Sequence, residues 1–260
     1  METLTVERDG GVVTVTMRRP ERKNAMTATM LAELRETFAA IEREPDDRVL
    51  VVTGAGGDFC SGADLADPGG PAGTAGGSGL AWVRRLGDVA LALHRLAKPT
   101  IAKVDGVAVG AGMSLALGCD LVVASERARL SMIFSRRGLS LDNGASWLLP
   151  RLIGMARAKE VAFFGELYPA EAARELGLVN RVMPVDELDG FVDGWAATLA
   201  AGPPLALSMT KTLLQGSLSS SMAEAVEHEA RCQAVNFGSR DTAEAVAAFL
   251  ERREPRFTGR

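Results

Sequence analysis

Phe59-Cys60-Ser61-Gly62-Ala63-Asp64-Leu65 and Asp105-Gly106-Val107-Ala108-Val109-Gly110-Ala111-Gly112 are the two glycine-punctuated stretches of this chain, and the second opens into a helical run over 111–118. Glycine turns let a backbone approach a ligand closely, and a developing enolate oxygen needs N–H donors already in place. Ala63 and Ala111 stand where such donors are needed. An Ala111 that opens a helix aims a free N–H along the positive end of the helix dipole, worth about 0.3–1 kcal/mol toward an anion. Without a ligand, both stretches read as plain strand-to-helix turns. Downstream, Leu141-Asp142-Asn143-Gly144 offers a lone carboxylate, Asp142, as a proton carrier beside an activated carbonyl; its other reading is a turn aspartate ahead of Asn143-Gly144.

Outward from these motifs the pattern is α/β. Residues 4–7 and 12–17 alternate apolar and polar around Asp9-Gly10-Gly11, which predicts a hairpin. Met30, Leu31, Leu34, Phe38 and Ile41 recur at helical spacing over 27–41, Pro45-Asp46-Asp47 breaks the pattern, and 49–53 reads as a strand. Short buried strands over 103–109 and 121–124 flank the helix at 111–118, so the sheet is largely parallel. The loop 67–79, rich in Gly, Pro and Ala, reads as a lid or as a surface insertion. Helices are expected over 155–164 and 169–176, a strand over 179–182, and helix almost throughout after Asp186, with capping boxes at Ser221/Glu224 and Asp241/Glu244. The division is a core, 1–200, holding the site, and a helical region, 201–260, for self-association.

Composition narrows the function classes. With 260 residues, 47% hydrophobic and 24% charged, the chain suits a globular core. No run approaches the roughly 18 apolar residues of a membrane span, and Met1-Glu2-Thr3-Leu4 does not begin a secretory signal, so a cytoplasmic protein is expected. Three cysteines without paired spacing predict neither disulfide nor metal site. A net charge of −4 with scattered basic residues and 5% aromatics argues against nucleic acid.

Competing motifs fall short. Gly54-Ala55-Gly56-Gly57 suggests a dinucleotide turn, but Phe59 replaces the third glycine. Gly112-Met113-Ser114-Leu115-Ala116 approaches a nucleophile elbow, with Ser114, Asp142 and His228 in hydrolase order, yet Ala116 replaces the closing glycine and His228 lies in a charged helical stretch. Other carboxylates suit structural uses: Asp64 and Asp186 as helix caps, Asp120 fixing the start of the strand 121–124.

Arg19-Pro20-Glu21-Arg22-Lys23-Asn24-Ala25, the 59–65 motif, the 105–112 run, Cys119-Asp120-Leu121, Leu148-Leu149-Pro150-Arg151-Leu152-Ile153-Gly154 and Pro255-Arg256-Phe257 together resemble, in order and spacing, the crotonase or enoyl-CoA hydratase/isomerase superfamily over nearly the whole chain. The resemblance implies a ββα superhelix with a C-terminal helical trimerisation region, giving a homotrimer or a dimer of trimers. It also implies a coenzyme A thioester as substrate, with no metal or separate cofactor, and its carbonyl oxygen held by the N–H groups of Ala63 and Ala111. Arg22 and Lys23 then lie near the CoA phosphates, although both also suit a solvated turn, and Ala25, Ala63, Asp64 and Leu65 flank the adenine-pantetheine part. The positions matching the two hydratase glutamates are Ser114 and Phe134, neither able to exchange a proton as a carboxylate does.

In the family's isomerase branch an aspartate stands in a segment similar to 138–150, Trp147 included, which points to Asp142 as the single base of a 1,3 proton shift. An apolar lining of Phe134, Leu141 or Trp147 would raise its pKa, and Trp82, Phe134 and Trp147 would set pocket depth, with Ser114 nearby. Hydration of a 2-enoyl-CoA is the enzymatic alternative. A non-catalytic acyl-CoA binder is the alternative of another class.

Overall fold

Gly10 and Gly11 take φ of +54° and +85°, the left-handed pair that a tight hairpin between twisted strands requires. They join β1 (Leu4–Asp9) to an antiparallel β2 (Val12–Met17), with Leu4 opposite Met17. This is a computed structural model, and it describes residues 1–70 and 78–260; most of the loop 67–79 therefore lies outside the described residues. Thr27 caps α1 (Ala28–Arg43) by accepting the Met30 N–H, and the helix buries Met30, Leu31, Leu34, Phe38 and Ile41. β3 (Val49–Gly54), α2 (Gly79–Arg95) and β4 (Thr100–Val104) follow, and β2, β3 and β4 run parallel.

The expected single strand over 103–109 is two. β4 ends at Val104, Gly106 turns the chain at φ +58°, and β5 (Val107–Val109) enters a second sheet. A Cβ on Gly106 would sit 2.2 Å from the Gly57 carbonyl oxygen, so the turn is closed to other residues. The chain then returns through α3 (Ala111–Leu117) to β6 (Leu121–Ser125) and crosses again to β7 (Arg129–Ser131). Asp120 accepts the Thr100 N–H and hydroxyl, 2.8 and 2.9 Å, and so ties the start of β6 to β4.

α4 (Ala145–Phe164) begins ten residues earlier than the sequence pattern suggests and contains Pro150; Gly154, at φ +75° and ψ 160°, breaks it, and the predicted helix is its second segment. β8 (Tyr168–Pro169), α5 (Ala170–Leu176) and β9 (Arg181–Met183) follow, β9 starting two residues later than expected. The larger sheet has the order β1-β2-β3-β4-β6-β9 and the smaller β5-β7-β8. The central strands β3, β4 and β6 of the larger sheet are buried on both sides. α1, α2 and α3 join one core cluster, while α6 (Leu188–Ala201) lays Leu188, Val192, Ala196 and Ala200 on Val49, Val51, Ile101 and Val123.

Beyond α6 come α7 (Pro204–Ser217), α8 (Met222–Phe237) and α9 (Arg240–Glu251). Lys211 on α7 reaches Asp120 and the Lys98 carbonyl at 2.7 and 3.0 Å. The Ser221/Glu224 capping box is present. The one expected at Asp241/Glu244 is not: Ser239 caps α9, the buried Asp241 accepts the Thr258 and Gly259 N–H groups, and Glu244 pairs with Arg253. Asp186 and Asp64 cap no helix either. Glu187 precedes α6 without a side-chain cap, and the Asp64 side chain accepts the Ala66 N–H within a turn.

Candidate functional site

Short hydrogen bonds stitch the two glycine motifs together. Cys60 donates to the Val107 carbonyl at 2.8 Å and accepts from Val109 at 2.9 Å; Met26 donates to Gly62 at 2.8 Å and accepts from Asp64 at 2.9 Å. Ala63 is thus held between two bonded neighbours. On the other side, Gly110 adopts φ +57° and ψ −125°, a region open only to glycine, and turns β5 directly into α3. A Cβ on Gly112 would meet the Cys60 carbonyl oxygen at 2.2 Å, so that glycine lets the helix start against the first motif. Ala111 is the first helical residue and its N–H has no intrahelical acceptor. Among the described residues, neither the Ala63 nor the Ala111 N–H donates to a protein group.

Both alanines line one cavity of about 420 Å³ with Asp142, Phe134 and Leu139; Lys23, Leu65 and Arg137 stand on the same lining. Asp142 is half-buried; its Oδ1 is buried without a partner among the described residues, and desolvation pushes its pKa up to about 6. Two free N–H groups can stabilise an anionic oxygen, and a carboxylate of that pKa exchanges protons near neutrality.

Ser114 is buried, donates its hydroxyl to the Gly110 carbonyl at 3.2 Å, and faces an adjacent cleft of about 350 Å³ rather than the Asp142 cavity. Trp147 also lines that cleft, edge-on to His94 at 5.1 Å, with the Arg151 guanidinium 3.9 Å from its ring centre. Trp82 is a correction: it falls on the buried stripe of α2 with Leu86, Val89 and Leu93, is 2% exposed, and lines neither cavity. Leu141 is half-buried against the core without lining the cavity.

Lys23 stands 3.5 Å from Asp58 at the rim, whereas Arg22 is exposed and off the lining. Ala25 is buried. The Asp64 carboxylate is engaged by Arg19 at 3.0 Å and by the Ala66 N–H at 3.0 Å, so its side chain is tied into the fold. The Ser114-Asp142-His228 alternative fails on placement, since exposed His228 lines a separate groove on α8. The dinucleotide alternative fails because residues 55–57 form one 3-10 turn, its Ala55 carbonyl capped by Asn24. Among the described residues no cluster could hold a metal ion.

Three residues at or beside the site, Arg19, Asn143 and Arg137, have no site role in the sequence reading. Asn143, at φ +50°, donates its side-chain amide to the Ala111 carbonyl at 3.1 Å. For Arg137 a signal was there, in the Arg136-Arg137-Gly138 run close before Asp142.

A chain that alternates between a large and a small sheet and opens on paired N–H groups has the architecture of the crotonase class. The profile of the Enoyl-CoA hydratase/isomerase family matches residues 7–260, and the chain belongs to that family of enzymes. It is 38% identical over 261 residues to the 1,2-epoxyphenylacetyl-CoA isomerase of Escherichia coli K12, covering 100% of both chains. It is 39% identical over 260 residues to a Rhodobacter capsulatus protein named "Probable enoyl-CoA hydratase", covering 99% of this chain and 98% of that one. The crystal structure of an enoyl-CoA hydratase from Bacillus anthracis superposes with a TM-score of 0.95 at 30% identity, covering 99% of this chain and 100% of the other.

Proposed function

We propose that this enzyme is an enoyl-CoA double-bond isomerase that moves one proton through Asp142. One observation carries the reading: among the described residues, Asp142 is the sole carboxylate lining the cavity that Ala63 and Ala111 also line. The thioester carbonyl oxygen accepts both N–H groups, which makes the neighbouring carbon acids strong enough to ionise. Asp142 removes a proton from the γ-carbon of a 2-enoyl thioester, the electron pair delocalises onto the carbonyl oxygen as a dienolate, and the same proton returns to the α-carbon. The reverse path converts the 3-enoyl isomer. No proton is gained or lost.

Hydration is the second reading, favoured by the names of relatives such as the Rhodobacter protein. Water addition uses one carboxylate to deprotonate water and another to deliver a proton, and at the positions that the family resemblance matches to its glutamates this chain has Ser114 and Phe134. Lys23 and Arg137 at the cavity edge receive CoA phosphates, with Leu65 along the pantetheine. We place the enzyme in the cytoplasm as a homotrimer or dimer of trimers. Self-association is supported by exposed apolar side chains on α8 and α9, including Met222 at 81% and Phe249 at 83%.

The test is a parallel assay of the native enzyme and Asp142→Asn with a 3-enoyl-CoA and a 2-enoyl-CoA, following double-bond migration and water addition separately. Migration reduced by roughly 10²-fold or more in the variant, with negligible hydration, is expected. Robust hydration that survives Asp142→Asn overturns the reading. CoA-ester binding without turnover of either substrate assigns a binding role instead.

A further inference from the structure

We propose that Asn143 is a positioning residue that fixes the carboxylate of Asp142 relative to the Ala111 N–H. The inference rests on the reading of Asp142 as the base. Ala111 opens a helix of seven residues, all buried, so the donor itself is held rigidly. The base is not. It hangs from the stretch 140–143, between the 3-10 turn Ile133–Arg137 and α4, where Ser140 is exposed and Leu141 and Asp142 are half-buried. Among the described residues, this stretch makes one hydrogen bond to a distant part of the fold, from Asn143 Nδ2 to the Ala111 carbonyl at 3.1 Å. Its other bond is local, Ala145 N–H to the Asp142 carbonyl at 3.0 Å. One side-chain amide therefore spans the two halves of the site, and it acts on the same residue whose N–H faces the substrate oxygen.

Two features fit a residue retained for position. Asn143 occupies the left-handed region at φ +50°, which asparagine tolerates and glycine prefers, and its Oδ1 is buried without a partner among the described residues. The neighbouring Asp142 carboxylate owes its raised pKa to burial; the charged groups on the same cavity lining are Lys23 and Arg137, with half-buried His94 in the adjacent cleft. Loosening this stretch admits water to Asp142.

The experiment is the pH dependence of kcat and KM for isomerisation in the native enzyme, Asn143→Gly and Asn143→Asp. Glycine keeps the left-handed backbone and removes the tether together with a buried side chain, which is why the position of the acidic limb is read beside kcat. The expected result for Asn143→Gly is a kcat lower by roughly 10–10²-fold, little change in KM, and an acidic limb displaced below about 6 toward an ordinary carboxylate. Native kcat and an unmoved acidic limb overturn the proposal, as does a fall in kcat with the limb unmoved, which marks a purely structural loss. If Asn143→Gly does not fold, the pH profile of Asn143→Asp decides: the ionised side chain keeps the shape, lacks the donor and adds a negative charge that alone would raise the Asp142 pKa. A lower kcat with the acidic limb displaced downward then supports the tether, and native kcat, or a limb unmoved or displaced upward, sinks it. A native enzyme lacking an acidic limb near pH 6 refutes the Asp142 reading itself, and this is seen before any variant is compared.

Discussion

The Arg19 guanidinium and the Asp64 carboxylate meet at 3.0 Å directly beside the turn that presents Ala63. The other arm of Arg19 donates to the Ala25 carbonyl, next to Met26, which is bonded to the residues on either side of Ala63. The pair is mostly buried, its side chains 19% and 10% exposed. It braces the two segments between which the first N–H donor sits.

Removing one partner of such a pair strands the other charge, which typically costs about 3–5 kcal/mol. Arg19→Met is therefore expected to lower the thermal midpoint and, in whatever fraction folds, to raise KM for the thioester as the Ala63 segment loosens. Calorimetry and steady-state kinetics on one preparation check this. An unchanged midpoint would show that the brace contributes nothing.

Asp142 carries a stability cost. Its folded pKa, about 6, lies above the 3.8 of an unfolded aspartate, so the folded state binds the proton more tightly. Its ionisation then opposes folding in full above pH 6, and the penalty fades as the pH falls from 6 toward 4. Asp142→Asn is expected to stabilise the enzyme at pH 8, by no more than about 3 kcal/mol, and to have little effect near pH 4. Denaturant titrations of both proteins at the two pH values read this difference. Equal stabilities at pH 8 would mean the carboxylate is well solvated.

Much of the fold can be read locally, because a Gly-Gly turn, a β-branched run and an N-cap threonine each act within a few residues. The 27–41 helix and the hairpin of β1 and β2 are of this kind. Both site alanines could likewise be read from their own neighbouring glycines. Long-range relationships could not. Arg19 and Asp64 are 45 residues apart, Asn143 and Ala111 32. Trp82 and Trp147 are both expected from the sequence to set pocket depth, and both lie on helices that the sequence pattern does not mark at those positions. Their rotation about α2 and α4 sends one into the core and the other to the surface of a different cleft, and apolar periodicity alone does not fix that rotation for a single tryptophan. Asp241 sits where a cap would, but its partners, Thr258 and Gly259, come from the tail after α9.

Gly112 tests the contact between the two motifs. A methyl group there would meet main-chain atoms of Cys60, a carbonyl oxygen at 2.2 Å and a carbonyl carbon at 2.8 Å, which no side-chain rotation relieves. Gly112→Ala is expected to push α3 away from Cys60, lowering stability by about 1–3 kcal/mol and reducing kcat more than KM. Thermal melts with steady-state kinetics check it; native kcat would show that the Ala111 N–H needs no such closeness.

Arg137 separates recognition of the CoA moiety from chemistry. It is exposed on the cavity lining and, among the described residues, has no acidic partner, whereas Lys23 shares its charge with Asp58 at 3.5 Å. An exposed cation facing a phosphate contributes up to about 1 kcal/mol, or roughly 5-fold in KM. Arg137→Ala is therefore expected to raise KM for an enoyl-CoA by that factor with kcat unchanged, and the effect should shrink as salt screens the charge. The same acyl group carried on N-acetylcysteamine, a thioester without phosphates, should show no difference between the two enzymes. If Arg137→Ala weakens both thioesters equally, the guanidinium contacts the acyl or pantetheine end instead, and the polarity of substrate entry must be reversed.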